Sequence, residues 1–409
     1  MRTFIPVSIL MPALFALFAV SPSAPAAEYR ITVRAGDHDR RDTPVVFELP
    51  EAARDYRALE APDGERLPLQ VGPDGAATFV LPGLAAGSEV TYRLAGLDPA
   101  DDTAPWVETV EADGRLRFTV AGRPALYYQA EKRPFPRPDI NPILKRGGFL
   151  HPVLSPSGRT VTSSYPPRHT HHQGIWSPWT RTAFQGRNPD FWNMHGGSGT
   201  VEFKAIDDYW SGPVHGGFRA RHRFVDLSAD EPVVALHETW EVRLFQTAAA
   251  ERRHHLFDLR KFQETATSDP LVLVEHHYGG LGFRGHDDWM GAEETQFLTS
   301  EGVTDRVEGN GTRTRWTHIG GRVDGEPTGI AILCHPENFR FPQPVRLHPR
   351  EPFFCYAPSQ LGDWEITPEE PYTARYRFVV TDGEADPDEL ERFWNDYAHP
   401  PEVRVEPRE

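Results

Sequence analysis

The sequence has few cysteines, few lysines and, beyond its N-terminal end, no long hydrophobic run. Only 2 of its 409 residues are cysteine, which excludes a disulfide-rich scaffold and a cysteine-rich metal site. Lysine occurs 4 times, and 43 basic residues stand against 59 acidic ones, for a formal charge of −16. Such an acidic chain excludes nucleic acid as an expected partner, because phosphates require a basic protein face.

The N-terminal residues predict a secretory signal peptide over residues 1–26. Arg2 gives a positive start, an apolar run follows from Ile5 to Val20, and Ala24-Pro25-Ala26 fits the small-residue cleavage pattern. The run is short for a membrane span of about 20 residues. We therefore expect a secreted or periplasmic protein that has no membrane partner once the signal is removed.

The two cysteines, Cys334 and Cys355, each lie in an apolar, strand-like run. An oxidising compartment permits a disulfide between neighbouring strands. Two buried free thiols explain the same pattern equally well, because free cysteine is among the most buried residue types. The sequence leaves both alternatives open.

The turn residues predict a mainly β protein, since 39 prolines and 34 glycines separate many short apolar runs. We expect a small accessory β-sandwich over residues 28–97, an acidic linker over 98–113, and a large antiparallel β-sandwich over 114–409. A propeller is not expected, because no blade-length repeat is present. One C-terminal helix is predicted, capped by Asp386 and ending before Pro400.

The densest group of chemically active residues lies between Tyr165 and Trp179. It contains Arg168 and the histidines His169, His171 and His172. Imidazole transfers protons near neutral pH and is the commonest metal ligand, so these histidines are candidate catalytic residues and Arg168 is a candidate substrate contact. The alternative is a polar, hydrogen-bonded loop that covers an aromatic core.

A metal site is a second interpretation of the same loop. His169-x-His171 is a common metal-ligand spacing, but a site needs a third or fourth ligand from elsewhere. In a cupin-type pattern a glutamate follows four to six residues later, and after His172 those positions hold Trp176, Ser177 and Pro178. The sequence therefore requires no cofactor, and it leaves a divalent metal of unknown identity possible.

A second candidate is Glu238, in the clearest strand of the chain, Val233–Phe245. The strict alternation of this strand places Glu238 on the apolar face with Leu236 and Trp240. A carboxyl group there should have a raised pKa unless it is paired, which would suit a general acid. The alternative is a buried salt bridge to an arginine of a neighbouring strand.

A third candidate group follows in the stretch Val274–Arg284. Glu275 and His277 are predicted to share one strand face as catalytic residues, and Arg284 is a candidate clamp for a substrate carboxylate. The glycines between them would admit a ligand or another backbone, or they would form a plain β-bulge.

Tryptophans near these residues suggest a stacking surface for sugar rings. Trp176 and Trp179 lie at the C-terminal end of the stretch Tyr165–Trp179, which we call the histidine loop. Trp192 and Asn193 come from the stretch Asn188–His195. We interpret these four residues as substrate contacts, although core tryptophans would need no ligand.

The chain also resembles a family of secreted bacterial proteins known as methane oxygenase PmoA. The motifs that carry the resemblance span about Phe149 to Tyr376, and the N-terminal unit is outside them. They are His151-Pro152 with Pro156-x-Gly158, the loop Arg168–Trp176, Phe191-Trp192, Tyr278-Gly-Gly-Leu-Gly-Phe-Arg284 and His335-Pro-Glu-Asn-Phe-Arg-Phe-Pro342.

The resemblance implies a fold and a substrate class. It implies a large sandwich of the galactose-mutarotase type, a fold shared by sugar epimerases, glycosidases and polysaccharide lyases. It does not imply methane oxidation, because the methane-oxidising subunit crosses a membrane several times and this chain has no further span. Fold analogy here favours carbohydrate as the ligand or substrate and specifies no reaction.

The residues and the resemblance together predict a secreted enzyme that performs acid/base chemistry on a sugar or glycan. The sequence does not distinguish an epimerase from a glycoside hydrolase or a lyase. One alternative is a carbohydrate-binding protein without catalysis, and another is a histidine-based metalloenzyme. A further expectation is that His169 or His171 lines one concave site together with His277 and one of the tryptophans.

Overall fold

A computed structural model describes residues 29–72, 75–96, 98, 106–247 and 254–407. The predicted signal peptide lies outside the described residues. Within them the chain is mainly β, and its one α-helix comes near the C-terminal end, as the turn residues and the helix signals predict. No helix in these ranges is both long enough and apolar enough to cross a membrane.

The N-terminal unit contains seven strands that form most of two small sheets. Their bounds are β1 (Tyr29–Arg34), β2 (Arg40–Glu48), β3 (Ala58–Glu60), β4 (Arg66–Pro68), β5 (Gln70–Val71), β6 (Ala76–Leu84) and β7 (Glu89–Ala95). One sheet has the order β2-β6-β5, and β1, β7, β3 and β4 lie in the other. Alternate residues of these strands meet in a separate apolar core around Phe79 and Tyr92, as expected for a small sandwich.

The large unit contains nineteen of the described strands, followed by the helix and a last strand. The strands of the large unit are β8 (Val107–Ala112), β9 (Arg115–Val120), β10 (Arg123–Gln129), β11 (Phe149–Val153), β12 (Ile175–Trp176), β13 (Thr182–Ala183), β14 (Gly199–Trp210), β15 (His215–Asp226), β16 (Val233–Phe245), β17 (His254–Thr265), β18 (Leu271–Leu273), β19 (Leu281–Arg284), β20 (Gln296–Thr299), β21 (Trp316–Val323), β22 (Glu326–Cys334), β23 (Val345–Leu347), β24 (Phe353–Tyr356), β25 (Trp364–Ile366) and β26 (Tyr372–Asp382). The helix α1 spans Pro387–Ala398 and the last strand, β27, spans Glu402–Pro407. Short 3-10 helices occur at Glu51–Ala53, Pro142–Leu144, Asp287–Trp289 and Pro358–Leu361.

Two eight-stranded antiparallel sheets form the large sandwich. The first has the order β23-β24-β19-β12-β11-β10-β9-β8, and the second has the order β14-β15-β16-β17-β26-β22-β21-β20. Their facing side chains form the main core, in which Phe118, Trp240, Phe283 and Phe378 are buried. A third, three-stranded sheet has the order β13-β18-β25. The predicted large antiparallel β-sandwich is thus present.

The strand with the clearest alternation forms as predicted. β16 covers Val233–Phe245, and the buried side of its C-terminal half carries Glu238, Trp240 and Val242. Its antiparallel neighbours are β15 and β17, the strands before and after it along the chain. Helix α1 begins after Asp386, whose side chain accepts hydrogen bonds from the backbone N–H groups of Asp388 and Glu389, so the predicted cap is also present.

The boundary between the two units differs from the sequence-based division in two places. The predicted linker over 98–113 contains β8, which is the edge strand of the first large sheet, and residues 99–105 lie outside the described ranges. The C-terminal strand β27 pairs with β1 and completes the five-stranded sheet of the small unit. Both differences arise because strand pairing joins segments that are distant in sequence.

The cysteines are free and buried. Cys334 lies in β22 of the second large sheet, whereas Cys355 lies in β24 of the first. Burial raises the pKa of each thiol to about 12, so neither is a nucleophile at neutral pH. Of the two alternatives that the sequence left open, the structure has the buried thiols.

Candidate functional site

The histidine loop joins β11 to β12 and enters the middle of the first large sheet. Tyr165 and His169 have φ angles of 54° and 58°, a region that side-chain-bearing residues rarely adopt. The backbone N–H of His172 donates to the carbonyl of His169 at 2.8 Å, and the N–H of Tyr165 donates to the carbonyl of His172 at 3.1 Å. These two hydrogen bonds hold a compact turn in spite of the strain, which is a feature of functional loops.

Five histidines from three segments meet at this turn, and we call them the imidazole cluster. Ring centroids lie 4.5 Å apart for His171 and His172, 5.1 Å for His169 and His172, and 5.3 Å for His169 and His348. His195 joins from the loop before β14, with its Nε2 atom 3.3 Å from Nδ1 of His171. The cluster therefore consists of His169, His171, His172, His195 and His348.

The cluster has an exposed side and a buried side. His169 and His195 are exposed, His348 is half-buried, and His171 and His172 are buried. Burial and, to a smaller extent, the neighbouring imidazoles lower the pKa of His171 to about 3 and that of His348 to about 4. The pKa of His172 is held well below its usual value by the same two causes. These three rings are therefore neutral at pH 7.

A buried ion pair lies next to the cluster. Arg284 is fully buried, and its Nη2 atom is 3.0 Å from Oε2 of Glu351, whose side chain is also buried. Arg168, which is exposed, has Nη1 at 3.9 Å from the other oxygen of Glu351. The positive charge of Arg284 contributes to the lowered pKa values of His171 and His172. Arg284 is thus engaged inside the protein and does not form the predicted clamp for a substrate.

Several buried polar atoms around the cluster have no hydrogen-bond partner. They are Nδ1 of His172, Nε2 of Gln173, Nε1 of Trp176, Nε and Nη1 of Arg284 and Oε2 of Glu351. The last of these lies 3.0 Å from Nη2 of Arg284, so its charge is paired. Native proteins leave few such groups, and each requires an explanation such as bound water, a ligand or a catalytic role. Their concentration here favours a functional interpretation of the loop.

The tryptophans lie under the cluster and not on its surface. Trp176, Trp179 and Trp192 are each at most 1% exposed. The rings of Trp176 and Trp192 pack 4.8 Å apart, and His172 lies 5.0 Å from Trp176. Trp179 belongs to the main core, where its Nε1 donates to Gln263. The predicted stacking surface for sugars is therefore wrong, because these rings form the aromatic core that the alternative described.

Glycines in β19 and the preceding turn accommodate the tryptophans. A Cβ atom at Gly282 would come within 2.7 Å of the Trp192 ring, and one at Gly280 would come within 2.5 Å of the Tyr356 carbonyl oxygen. Close approach of protein groups, and not of a ligand, explains these glycines. Asn193 is tied to the same turn, since its Nδ2 donates to the hydroxyl of Tyr278 at 3.0 Å and to Asp190 at 2.7 Å.

Glu275 and His277 are placed differently from the prediction. β18 ends at Leu273, so the two residues lie in an irregular segment and do not share a strand face. Both are exposed, and their side chains make no contact with the imidazole cluster in the described part of the chain. The nearest link runs through Tyr278, whose ring packs against His277 at 4.8 Å and Trp192 at 5.6 Å.

Glu238 lies in the main core, in a polar group that we call the core network. Its Oε2 is 2.9 Å from Nδ1 of His222, and its Oε1 accepts from Gln263 at 2.8 Å. The Nζ atom of Lys261 is 3.6 Å from the same Oε1. His222 is in turn hydrogen-bonded to the hydroxyl of Tyr128 at 2.7 Å. The core network thus consists of Tyr128, His222, Glu238, Lys261 and Gln263.

The core network stabilises the charged carboxylate. Burial alone would raise the pKa of Glu238, but the hydrogen bond to His222 and the charge of Lys261 outweigh it, so the pKa is lowered. Burial lowers the pKa of Lys261 to about 8, and its Nζ donates to Oγ of Ser177 at 2.6 Å. The general-acid hypothesis for Glu238 is therefore not supported. The buried ion-pair alternative describes the site, with lysine in place of the expected arginine.

No set of three His, Cys, Asp or Glu side chains among the described residues has the arrangement of a metal site. Nitrogens of His171 and His195 lie 3.3 Å apart, but no third ligand is in place beside them among the described residues. The geometry of the cluster as it stands suits hydrogen bonding and proton transfer.

Three components of the site were not assigned from the sequence. His195 ends the aromatic stretch Asn188–His195, and no local pattern in the sequence marks His195, His348 or Glu351 as part of a site. His348 accepts hydrogen bonds at Nδ1 from the backbone N–H groups of Arg350 and Glu351, so its ring orientation is set by a turn between β23 and β24. His348 and Glu351 reach the loop through the sheet order, in which β24 lies next to β19 and β19 lies next to β12.

Comparisons with known proteins identify a family but no activity. A family of unknown function, DUF6807, matches residues 115–395. No curated protein matches the chain significantly. A solved structure of a protein in the glycosyl hydrolase family 38 from Enterococcus faecalis is similar at a TM-score of 0.42 and 9% identity, over 94% of this chain and 48% of that one. The chain spans about half the length of that protein, and a likeness at this level says nothing about activity. The methane oxygenase name finds no support among these matches.

Proposed function

This chain belongs to DUF6807, a family of unknown function. From the geometry of its site we propose that it transfers protons on a carbohydrate at the imidazole cluster. The observation that carries the proposal is the meeting of five imidazoles at one strained turn, surrounded by buried polar atoms without partners. The resemblance to sandwiches of the galactose-mutarotase type is the reason for choosing a carbohydrate. The predicted signal peptide fits an extracytoplasmic glycan but is not needed for the proposal.

The exposed and buried histidines take different roles. A general base works best with a pKa near the working pH, which excludes His171 and His172, whose pKa values are far lower. His169 and His195 are exposed and therefore reach a substrate. His171 acts as a positioning residue, because it shares a proton with His195 across 3.3 Å and so fixes the tautomer of that ring.

The carboxylates near the cluster do not favour two-carboxylate hydrolysis. Glycoside hydrolases place two carboxyl groups about 5–9.5 Å apart across the scissile bond. Glu238 is committed to the core network, and Glu351 is buried beside Arg284. An isomerase or a lyase needs a base and a donor, which imidazoles supply. We therefore favour epimerisation or elimination over hydrolysis.

The test is a screen of the purified protein on mono- and oligosaccharides in deuterated water, followed by proton NMR. Proton transfer at carbon incorporates deuterium, and epimerisation or elimination produces new anomeric or olefinic signals. We expect conversion by the wild-type protein and a loss of at least about 100-fold in His195→Asn, since general acid/base groups contribute about 10²–10⁴-fold. Conversion that is unchanged in this variant would overturn the proposal.

A binding protein without catalysis is the alternative from another class. It predicts that the wild-type protein binds a sugar without converting it and that His169→Ala and His195→Ala still bind. His237→Ala is the matched control for both experiments, because His237 is exposed on β16 and is outside the cluster.

A histidine-bound metal is a second candidate function, favoured by one observation. The 3.3 Å between His195 Nε2 and His171 Nδ1 is about the separation of two ligands that each lie roughly 2.0–2.1 Å from a tetrahedral zinc ion. A third ligand would have to move into place. Elemental analysis of protein purified without chelator decides this point, with stoichiometric metal that is lost in His171→Ala as the supporting result.

A further inference from the structure

A cavity of about 400 Å³ lies between the small and the large sandwich. Its lining residues take no part in the function proposed above. Its walls come from β5 and β6 of the small unit and from β14, β15 and β16 of the large unit. Small-molecule sites typically have volumes of about 300–1,000 Å³ and often lie between domains. None of its residues belongs to the imidazole cluster or the core network.

The wall between the two units is held rigidly. The side chain of Gln70 donates to the carbonyl of His215 at 3.0 Å and accepts from the backbone N–H groups of Val214 and His215. A Cβ atom at Gly212 would come within 2.2 Å of the Gln70 amide oxygen, so only glycine permits this contact. The cavity is thus fixed before any ligand arrives, which reduces the entropy cost of binding.

The aromatic wall is Trp210, at the end of β14. The indole is half-buried, and its Nε1 donates to Nδ1 of His215 at 2.9 Å. One part of the ring lies against Gly217, where a Cβ atom would come within 2.3 Å of it. Unlike the tryptophans under the imidazole cluster, this ring is partly open and lines a cavity. A half-exposed, immobilised indole is suited to stacking on a sugar ring.

Three arginines supply the charge. Arg219 and Arg243 both pair with Glu241, at 3.0 Å and 2.8 Å. Nε of Arg243 is buried and has no partner. Arg57 donates only to backbone carbonyls of its own turn and makes no ion pair with the described residues. Guanidinium groups bind carboxylates as a planar fork.

The charge balance selects the ligand. Arg219 and Arg243 share the carboxylate of Glu241, whereas Arg57 makes no ion pair with the described residues, so the positive charge of Arg57 is available to a ligand. A dianionic phosphate would be only half neutralised there, whereas a single carboxylate is fully matched. Asp208 and Ser211 offer polar partners for the hydroxyl groups of a ligand.

We propose that this cavity, which we call the inter-sandwich cavity, binds a sugar unit that carries a carboxylate, such as a uronate residue of an acidic glycan. The carboxylate pairs with Arg57 and Arg243, and the sugar ring stacks on Trp210. The inference does not depend on catalysis at the imidazole cluster.

The test is calorimetric titration of the full chain with short oligomers of galacturonate, glucuronate, mannuronate and guluronate, and with their neutral counterparts. We expect at least one acidic series to bind and its neutral counterpart to bind at least about 10-fold more weakly, since hydrogen bonds to a charged group are stronger than those between neutral groups. Inorganic phosphate should not compete at the same concentration.

Variants locate the binding in this cavity. Arg57→Ala and Arg243→Ala should weaken it about 10-fold, and Arg57→Lys should weaken it less because the charge is kept. Arg221→Ala is the matched control, since Arg221 is exposed on the same strand as Arg219 but pairs with Asp207 outside the cavity. His195→Asn should bind normally, which separates this site from the imidazole cluster.

Four results would overturn the proposal, three from the titrations and one from the variants. Those from the titrations are the absence of binding across the four acidic series, equal binding of acidic and neutral oligomers, and competition by phosphate at equal concentration. Unchanged affinity in both arginine-to-alanine variants would place any binding elsewhere and would overturn it as well.

Discussion

The imidazole cluster and the core network are built from the same residue types but differ in how well their polar atoms are satisfied. In the core network, both oxygens of Glu238 and both nitrogens of His222 have partners. Around the imidazole cluster, buried atoms of His172, Gln173 and Arg284 have no hydrogen-bond partner. A fully paired polar network stabilises a fold, whereas unpaired groups are costly unless a ligand or a reaction uses them.

The two sites also show two different causes of a lowered pKa. Burial and neighbouring imidazoles lower the pKa of His171 to about 3 without any partner carboxylate in contact. In the core network, the hydrogen bond from His222 lowers the pKa of Glu238 and keeps it charged. Burial disfavours the charged form of His171, whereas the hydrogen bond from His222 favours the charged form of Glu238.

The largest effect on stability is expected for Glu238→Gln, which removes the negative charge from the core network. Lys261 would then be buried without its counter-ion, and breaking such a pair typically costs about 3–5 kcal/mol. We expect a loss of this size in the free energy of unfolding, measured by urea denaturation. Glu264→Gln is the matched control, because Glu264 is exposed on the neighbouring strand β17, and it should change stability by less than about 0.5 kcal/mol.

Equal stability of these two variants would show that the core network does not hold the charged pair. A loss of turnover in Glu238→Gln under conditions where it is still folded would transfer the catalytic role to the core and would break the comparison.

Acid is expected to destabilise the protein between about pH 6.5 and pH 4. An unfolded histidine binds its proton near pH 6.5, whereas burial lowers the pKa of His151, His318 and His348 to about 4. Between these pH values only the unfolded chain takes up the protons, so falling pH favours unfolding. Above pH 6.5 both states are neutral and these groups contribute no dependence.

Each such histidine contributes up to about 1.4 kcal/mol per pH unit to the slope of stability against pH. His171→Asn should therefore make this slope shallower, and His237→Asn should leave it unchanged. Denaturation curves at pH 7, 6 and 5 measure it. An identical slope in His171→Asn and the wild-type protein would show that the cluster is not neutral as described.

The smallest effect is expected for Arg168→Gln at the rim of the cluster. The side chain of Arg168 is 70% exposed and lies 3.9 Å from the Glu351 carboxylate, and exposed ion pairs contribute about 0–1 kcal/mol. Stability should stay within this range, while substrate affinity falls a few-fold at low salt and less at high salt. A loss of stability above about 2 kcal/mol would mean that Arg168 is structural and would remove it from the substrate contacts.

The sequence predicted the fold better than the site, and the reason is physical. Alternation in β16 and the capping residues of α1 are local signals, and both elements formed as predicted. Burial is not local. Trp176, Trp192 and Arg284 carry the residue types of a binding site, and only the packing of β12 against β19 shows that they are enclosed.

The remaining components of the site depend on long-range pairing. His348 and Glu351 follow His172 by 176 and 179 residues, and they reach the histidine loop because β24 pairs with β19. The placement of Glu238 on the apolar face was predictable from period two, but its partner Lys261 lies on a neighbouring strand whose register the sequence does not give.

Turnover by His195→Asn, compared with Glu238→Gln at equal folded fraction, tests the central claim most directly. The account predicts that His195→Asn melts as the wild-type protein does and loses at least about 100-fold in turnover, and that Glu238→Gln turns over at close to the wild-type rate. The reverse pattern, with full activity in His195→Asn and none in folded Glu238→Gln, would contradict it.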